Sequence, residues 1–402
     1  MRSVQAEIQL SGSWSSLGTL RSETKRGAEY GSFGYSGEYL NDSDSYPVDP
    51  SLPLNAGVYS AARSLHGAFR DASPDRWGRN LIERSLRAAK PLGAISELDY
   101  LLGVSEASRI GNFRFAEDGE IEQSGQEIPT MVTLPRVMRL SEELEENDSY
   151  QITKELLEVG SASLGGARPK SSVIDDGVLM IAKFSHAQDQ WDVMKWESWS
   201  LDLARQFGIQ VPAFRLVNVS GKGVLMLNRF DRVGKERVGY ISAMTMLGKN
   251  DGDQADYLEV AEAITLQGPN VRSQLRELWK RVLLSVAIRN TDDHLRNHGF
   301  LKVRGGWNLS PVFDINPNPL SKTGQRSTSF AGAVGTEAEI DSLLEFSTYL
   351  EVEKSEAVTE VKTLAKLLAN SSKDSYLPKV KQSEKDQMLN VFSSSLSVMK
   401  QV

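Results

Sequence analysis

Two acidic residues stand beside an imidazole and an amide in the stretch NTDDHLRN, residues 290–297. The carboxylates of Asp292 and Asp293 can receive a proton or hold a metal ion, and the amide of Asn297 can also hold a hard cation. The stretch follows the apolar run VLLSVAI, which is typical of a buried helix. Polar groups at the end of a buried helix are therefore the first candidates for a catalytic site.

The spacing of Asp292 and Asn297 fits phosphoryl transfer from ATP. That reaction needs a phosphate cradle, a lysine, metal-holding carboxylate and amide groups, and a carboxylate that receives the hydroxyl proton. The interval from Asp292 to Asn297 equals that between the base and the metal-binding Asn in the kinase loop H-R-D-x-x-x-x-N. In LSPVFDINP, 309–317, Asp314 follows an apolar run, as the Asp of the kinase D-F-G segment does. Both stretches point to kinase chemistry.

A candidate phosphate cradle lies upstream, in SLGGARPKSS at 163–172. Gly165 and Gly166 would let the backbone approach a phosphate, and Arg168 and Lys170 supply positive charge. Gly-Gly between polar residues is most often only a turn, so this motif depends on its context.

The context is a lysine and a glutamate in the expected order. Lys183 ends the apolar strand VLMIAKF, where a charge is costly unless it is paired or reaches water, although it could also be an edge lysine. Glu197 lies on the next predicted helix, and a strand lysine paired with a helix glutamate is typical of kinases. The linear order of glycine turn, Lys183, Glu197, catalytic-loop residues and Asp314 is harder to obtain by chance than any single motif.

Two alternatives stay open for the acidic stretch. TDDH, 291–294, could cap a helix, since Thr and Asp are favoured at N-caps. A metal-dependent hydrolase is the other alternative, with the ligands Asp292, Asp293, His294 and His298. The hydrolase leaves the glycine turn and Lys183 unexplained, and the glutamate of H-E-x-x-H is absent.

The elements that would position these residues follow from apolar periodicity. Residues 74–89 predict an amphipathic helix, and SELDYLLGV predicts a second one. Residues 171–185 predict two strands around a turn at Asp175-Asp176-Gly177, and residues 196–208 predict a helix that ends on Gly208. VPAFRLVNV and GVLMLNRF predict another strand pair.

The domain organisation follows from changes in this pattern. The first 60 residues predict short strands joined by turns, and the acidic segment 117–150 marks the approach to a boundary. We predict an α+β, two-lobed, protein-kinase-like fold with an N-terminal subdomain at 1–150 and a kinase core at 151–402. The core would be β-rich to about residue 254 and α-helical from about residue 255.

Composition excludes several classes of protein. The 402 residues contain no cysteine, which removes disulfides, thiolate zinc sites and a cysteine nucleophile. A net charge of −7 argues against a large non-specific nucleic-acid surface, so a DNA contact would be made through a partner. The apolar runs are far shorter than the roughly 18 residues of a membrane helix, and MRSVQAEIQL lacks a secretory apolar region. We expect no membrane contact and a cytoplasmic location.

Taken together, several stretches resemble the HipA family of bacterial serine/threonine kinases, the toxins of type II toxin–antitoxin pairs. The kinase core contributes SLGGARPK, MIAKF, NRFDR, NTDDHLRN and LSPVFD. The N-terminal part contributes YSGEYL, SLPL, FRDASPDRWGRNLIER and GNFRF, so the resemblance spans about residues 15–370 and implies a HipA-like fold.

The resemblance implies a role for each matching residue. Asp292 would be the catalytic base, Asn297 and Asp314 would hold Mg²⁺, and His294 would lie in the catalytic loop near ATP. Lys183 would contact the ATP phosphates. The phosphate loop would consist of Gly165, Gly166, Ala167, Arg168, Pro169 and Lys170. The hinge that meets adenine through its backbone would be Asn228, Arg229 and Phe230, with Asp231 near the ribose.

The resemblance also implies regulation and partners. Ser163 aligns with the serine that family members autophosphorylate, and phosphate there should eject the phosphate loop and switch the kinase off. The expected partners are a HipB-like helix-turn-helix antitoxin that binds operator DNA and a protein substrate, which in some members is an aminoacyl-tRNA synthetase. The alternative from another class is a non-catalytic kinase-like scaffold or co-repressor that acts through such an antitoxin.

Overall fold

The computed structural model describes residues 1–74, 76–89, 94–117, 128–147, 149–158, 168–186, 188–320 and 325–402. Its internal contacts divide the chain into two compact units. Unit 1 comprises Met1–Gln188 and Val217–Ile241, and unit 2 comprises Asp189–Leu216 and Ser242–Val402. The predicted domain boundary near residue 150 stays a prediction.

Unit 1 begins with an antiparallel sheet of order β4-β3-β2-β1-β5. Its strands are β1 Arg2–Leu10, β2 Ser13–Lys25, β3 Ala28–Tyr35, β4 Tyr59–Ser60 and β5 Phe113–Glu117. Val4, Ala6 and Ile8 are buried in alternation along β1, as one packed sheet face requires. Ser11 and Gly12 both have positive φ, which matches the type I′ turn of a two-residue hairpin. The first three strands are longer than the short strands predicted from the Ser- and Gly-rich sequence.

Within the described residues of unit 1, six helices follow or interrupt this sheet. They are α1 Gly37–Asn41, α2 Gly67–Asp71, α3 Arg76–Ala89, α4 Glu97–Leu102, α5 Leu134–Glu146 and α6 Tyr150–Glu158. Trp77 and Leu81 of α3 lie in one core cluster with Leu134, Val137 and Leu144 of α5. The acidic segment that we expected to approach a boundary therefore contains a packed amphipathic helix, whose apolar residues recur three and four apart.

A second sheet, which carries Lys170 and Lys183, has the strand order β6-β7-β9-β8. Its strands are β6 Lys170–Asp175, β7 Val178–Phe184, β8 Phe214–Val219 and β9 Lys222–Asn228. Asp176 and Gly177 form the predicted turn between β6 and β7, both with positive φ. Three short strands follow, β10 Arg232–Val233, β11 Glu236–Arg237 and β12 Tyr240–Ser242, of which β10 and β11 pair with each other.

Unit 2 is mainly helical. Its helices are α7 Val193–Gln206, α8 Ala243–Met246, α9 Tyr257–Gln267, α10 Val271–Ala287, α11 Thr336–Glu345, α12 Lys354–Ser371 and α13 Gln382–Met399. Its short strands are β13 Ala255–Asp256, β14 Gly299–Val303, β15 Gly306–Leu309 and β16 Thr328–Ser329. Every residue from Arg281 to Ala287 is buried, so α10 ends inside the unit, as its apolar run predicted.

The mixed helix and strand content confirms the predicted fold class. The predicted strand pairs correspond to β6-β7 and β8-β9, and the helix predicted at 196–208 is α7, which starts three residues earlier. Within the described ranges, no helix combines the length and apolarity that crossing a bilayer requires.

Candidate active site

Two lysines face each other on the second sheet of unit 1. Lys170 on β6 is the register partner of Lys183 on β7, which puts both side chains on one face of the sheet. Both residues are buried, at 4% and 7% exposed. Two positively charged side chains on one sheet face can attract an anion such as phosphate.

An apolar strip lies beside the lysines on the same face. Leu225 of β9 is the register partner of Lys183, and the next row holds Ile181 and its partner Leu227. Leu225 and Leu227 are buried. Nucleotide and other small-molecule sites combine such apolar lining with a few placed polar groups. This sheet face has the composition needed for a base beside its phosphates.

The predicted hinge begins where β9 ends, at Asn228. The backbone N–H of Arg229 donates to the Leu179 carbonyl oxygen over 3.1 Å, which extends the strand pairing by one residue. That N–H is therefore used within the sheet, and the adenine contacts expected from the other backbone groups of Asn228, Arg229 and Phe230 stay a prediction.

Asp231 lies in a buried group that we call the arginine cluster, formed by Arg229, Asp231 and Arg232. Arg229 donates to both carboxylate oxygens over 2.7 and 2.5 Å, and Arg232 donates to one over 2.6 Å. The Gly111 N–H donates to the same carboxylate over 2.8 Å. Burial opposes ionisation of Asp231, but the two guanidinium groups outweigh it and lower its pKa to about 2.

Asp231 is 1% exposed, and its two oxygens accept these four hydrogen bonds. The expected position of Asp231 near the ribose stays a prediction. Arg229 also donates to the carbonyl oxygens of Ser108 and Arg109 over 2.6 and 3.1 Å. The cluster therefore ties the end of β9 to the segment that precedes β5.

In unit 2 the acidic stretch forms a loop and not a helix cap. Arg289 has φ +54 and the Asn290 N–H donates to the Ser285 carbonyl oxygen over 2.8 Å, which terminates α10. Residues 291–294 are irregular, and only a 3₁₀ turn follows, Leu295–Asn297, whose N-cap His294 makes no side-chain capping bond. The helix-cap alternative is therefore wrong.

The loop brings the two predicted functional residues together. Asp292 is exposed, and the side-chain N–H of Asn297 donates to the Asp292 carbonyl oxygen over 2.9 Å. With its nitrogen engaged there, Asn297 has its amide oxygen to offer as a ligand. His294 is half-buried between them.

The segment that contains Asp314 is held to the same loop. Asp314 itself is half-buried with φ +55, a strained conformation that tends to occur at functional sites, and its N–H donates to a carboxylate oxygen of Glu197 over 3.2 Å. Four residues later, the Asn318 backbone N–H donates to the Arg289 carbonyl oxygen over 3.1 Å. The Asn318 side chain donates to the Thr291 hydroxyl over 2.7 Å. Predicted pairing of Glu197 with Lys183 stays a prediction.

The oxygen donors present fit Mg²⁺ better than zinc. Mg²⁺ is usually held by one or two protein oxygens together with substrate phosphates, as the Asn297 amide and the Asp314 carboxylate could provide. Among the described residues there is no group of three or more His, Asp or Glu side chains that could hold a metal. His298 instead hydrogen bonds to Asp293, both buried, so the hydrolase ligand set has no support in unit 2.

Ser163 and part of the predicted phosphate loop, namely Gly165, Gly166 and Ala167, lie outside the described residues. Of the remainder, Arg168 is half-buried, and the Pro169 carbonyl oxygen accepts the Phe184 N–H over 3.3 Å, next to the Lys170–Lys183 pair. The loop's contact with phosphate therefore stays a prediction, while Lys170 is positioned by strand pairing.

Sequence reasoning missed the polar side chains behind the loop. Asp293 and His298 were considered only as metal ligands, and Tyr257, Arg326 and Glu339 were not considered. All five are buried. The local signal was weak, because the five residues are spread over more than 80 positions and only Asp293 and His298 are close in sequence.

The chain has a kinase-like fold. The HipA-like C-terminal domain matches residues 162–373, and the HipA N-terminal domain matches residues 10–115. Because the first of these spans more than half of the chain, the chain belongs to the HipA family, which confirms the resemblance read from its motifs.

Two solved structures with low sequence identity are similar to this chain. HipA from the Shewanella oneidensis MR-1 toxin–antitoxin system, solved with HipB and its operator DNA, has a TM-score of 0.72 and 13% identity over 98% of this chain and 97% of that one. The Helicobacter pylori proinflammatory kinase CtkA has a TM-score of 0.43 and 14% identity, covering 59% of this chain and 92% of that one.

A Haemophilus influenzae protein named "Putative kinase" is 25% identical over 142 residues, which are 31% of this chain and 41% of that relative. The match to this curated relative therefore spans less than half of its length.

Proposed function

We propose that this chain is an ATP- and Mg²⁺-dependent protein serine/threonine kinase that acts as the toxin of a HipA/HipB-type pair. One observation carries the proposal: the Asn297 side chain is bonded to Asp292, and the segment of Asp314 is bonded to the same loop. A base and two metal-binding oxygens held in one framework are the parts that phosphoryl transfer requires.

Each of the described residues has its own role in the proposed reaction. ATP with Mg²⁺ would supply the phosphoryl group, and the metal would neutralise part of its charge. The exposed carboxylate of Asp292 would receive the proton of the substrate hydroxyl, and the oxygens of Asn297 and Asp314 would hold the metal. Lys170 and Lys183 bind phosphate through the charge that they concentrate on one sheet face.

Regulation and partners follow from family membership and belong to the same proposal. Ser163 would be the autophosphorylated residue. A HipB-like helix-turn-helix antitoxin would bind the chain in the cytoplasm and carry any DNA contact. The Shewanella oneidensis HipA was solved with HipB and operator DNA, which supports this choice of partner. The substrate would be a cytoplasmic protein, with an aminoacyl-tRNA synthetase as the first to test.

The direct test is phosphate transfer by the purified chain from labelled ATP with Mg²⁺. We expect label on Ser163, and we expect Asp292→Asn to lose at least a hundredfold of the rate, since a positioned base typically contributes 10²–10⁴-fold. Asp176→Asn is the matched control, because Asp176 is an exposed turn residue with φ +46 that Asn tolerates. Equal labelling by Asp292→Asn and wild type would reject Asp292 as the base.

The partner proposal needs its own experiment. A tagged wild-type chain and Asp292→Asn should both retain a HipB-like protein expressed with them, because the antitoxin contact is not expected to need catalysis. Failure of both chains to retain it would remove the toxin–antitoxin role and leave the kinase proposal intact.

A further inference from the structure

Five ionisable side chains meet in the interior of unit 2, and we call them the loop cluster. Tyr257 begins α9, Asp293 and His298 flank the 3₁₀ turn, Arg326 precedes β16, and Glu339 lies on α11. All are buried, from 0% exposed at Tyr257 to 8% at Arg326. Such groups are expensive to bury unless each is paired, so the contacts among them define what the cluster does.

The Asp293–His298 pair closes the catalytic loop. His298 donates from Nε2 to a carboxylate oxygen of Asp293 over 2.9 Å, across the turn that contains His294 and Asn297. Asp292 directly precedes Asp293, and Asn297 directly precedes His298. The buried pair therefore sets the separation of the two residues that it flanks, and their own bond, Asn297 to the Asp292 carbonyl oxygen, lies just outside it.

Tyr257 and Arg326 hold that pair from two other elements. The Tyr257 hydroxyl donates to the second carboxylate oxygen of Asp293 and lies 3.2 Å from His298 Nε2. Burial and the Asp293 charge raise the pKa of Tyr257 well above its ordinary value, so the hydroxyl keeps its proton. Arg326 lies 3.7 Å from Asp293 and donates to the Asn290 carbonyl oxygen over 3.3 Å. The loop is thus attached on both sides of Asp292.

We propose that Tyr257 and His298 are positioning residues for phosphoryl transfer, which act through Asp293 to hold Asp292 and Asn297 at their working separation. The inference rests on the proposed function. Neither residue touches substrate, so their effect should fall on the chemical step and less on nucleotide binding. Side chains that orient a metal-binding group typically change activity 10–100-fold when they are replaced.

The test compares variants that keep or remove one donated hydrogen bond. Tyr257→Phe removes the hydroxyl, and we expect kcat to fall about 10–100-fold while KM for ATP changes less than about threefold. Tyr349→Phe is the matched control, because Tyr349 is 54% exposed, and it should behave as wild type. His298→Gln keeps an N–H donor for Asp293 and should retain much more activity than His298→Leu.

The outcomes separate this inference from the proposed function. If wild type transfers phosphate and Tyr257→Phe keeps kcat within about twofold, the positioning role is rejected and the kinase proposal stands. Equal kcat for folded His298→Gln and His298→Leu would reject it as well. If wild type transfers no phosphate to Ser163 or to any protein, the proposed function falls and the inference falls with it. Should His298→Leu not fold, Tyr257→Phe alone decides.

Discussion

The arginine cluster of unit 1 and the loop cluster of unit 2 solve the same problem with different chemistry. Each buries an aspartate and uses it to fix a loop: Asp231 holds the end of β9, and Asp293 holds the catalytic loop. Asp231 faces two guanidinium groups, whereas Asp293 faces an imidazole, a phenol and one guanidinium that Glu339 shares over 2.8 Å.

Because the two clusters contain different ionisable groups, they should respond differently to pH. In the arginine cluster, burial lowers the pKa of Arg232 to about 9, and the Asp231 pKa of about 2 keeps its carboxylate ionised near neutral pH. In the loop cluster, burial raises the pKa of Glu339 to about 7, and the Asp293 charge adds to this against the opposing pull of Arg326. His298, Arg326 and Tyr257 lower the pKa of Asp293 despite its burial.

The largest loss of stability is expected for a substitution in the arginine cluster. Asp231→Asn leaves Arg229 and Arg232 buried without their counter-charge, and breaking a buried pair costs about 3–5 kcal/mol of unfolding free energy. Because the Asp231 pKa is depressed, its stabilisation is present above pH 4 and is lost only as the pH falls toward about 2. Urea unfolding at pH 6 and pH 8 should show the same large loss, and a loss below about 1 kcal/mol would mean that the cluster contributes little.

The second prediction concerns Glu339. Its pKa in the folded chain, about 7, exceeds its ordinary value of 4.5, so the folded chain holds a proton that the unfolded chain releases. Stability should therefore fall as the pH rises from 4.5 to 7, by up to about 3 kcal/mol, and be constant above. Glu339→Gln should remove this dependence, and Glu337→Gln, an exposed neighbour on α11, should keep it. If the unfolding free energy of the wild-type chain does not fall between pH 4.5 and pH 7, the two clusters do not differ in their response to pH.

A backbone change should have a smaller effect. Gly111 donates its N–H to Asp231 from a conformation with φ +74, which costs a residue with a Cβ about 1–2 kcal/mol. The Cβ of Gly111→Ala would lie 3.5 Å from the Tyr240 nitrogen, an ordinary contact, so the loss reflects the backbone alone. Gly37→Ala, whose Cβ meets nothing within 4 Å, is the control. Equal melting temperatures for both variants would contradict the prediction.

The smallest effect is expected at an exposed pair on the catalytic loop itself. Arg296 bonds both carboxylate oxygens of Asp251 over 3.0 and 2.9 Å, but the Asp251 side chain is 72% exposed. Asp251→Asn should cost about 0–1 kcal/mol, and the cost should shrink further in high salt. A loss as large as that of Asp231→Asn would show that burial does not separate these interactions.

The sequence predicted the fold class and most elements near the site because local patterns specify them. The turn at Asp176 and Gly177 and the periodicity of α3 and α7 are carried by neighbouring residues. Helix α5 was missed because its charges hid an apolar stripe. The sequence did not reveal that two arginines and a distant N–H enclose the carboxylate of Asp231.

Sequence alone determined the chemical types and their order: a lysine on a strand, an acid and an amide five residues apart, and a later acid. The order of these residues along the chain does not depend on the fold, so the sequence shows it directly. Only the tertiary structure decided that five residues from four parts of unit 2 meet behind Asp292. The physical reason is that burial and long-range pairing, unlike helical period or turn chemistry, depend on residues far apart in sequence.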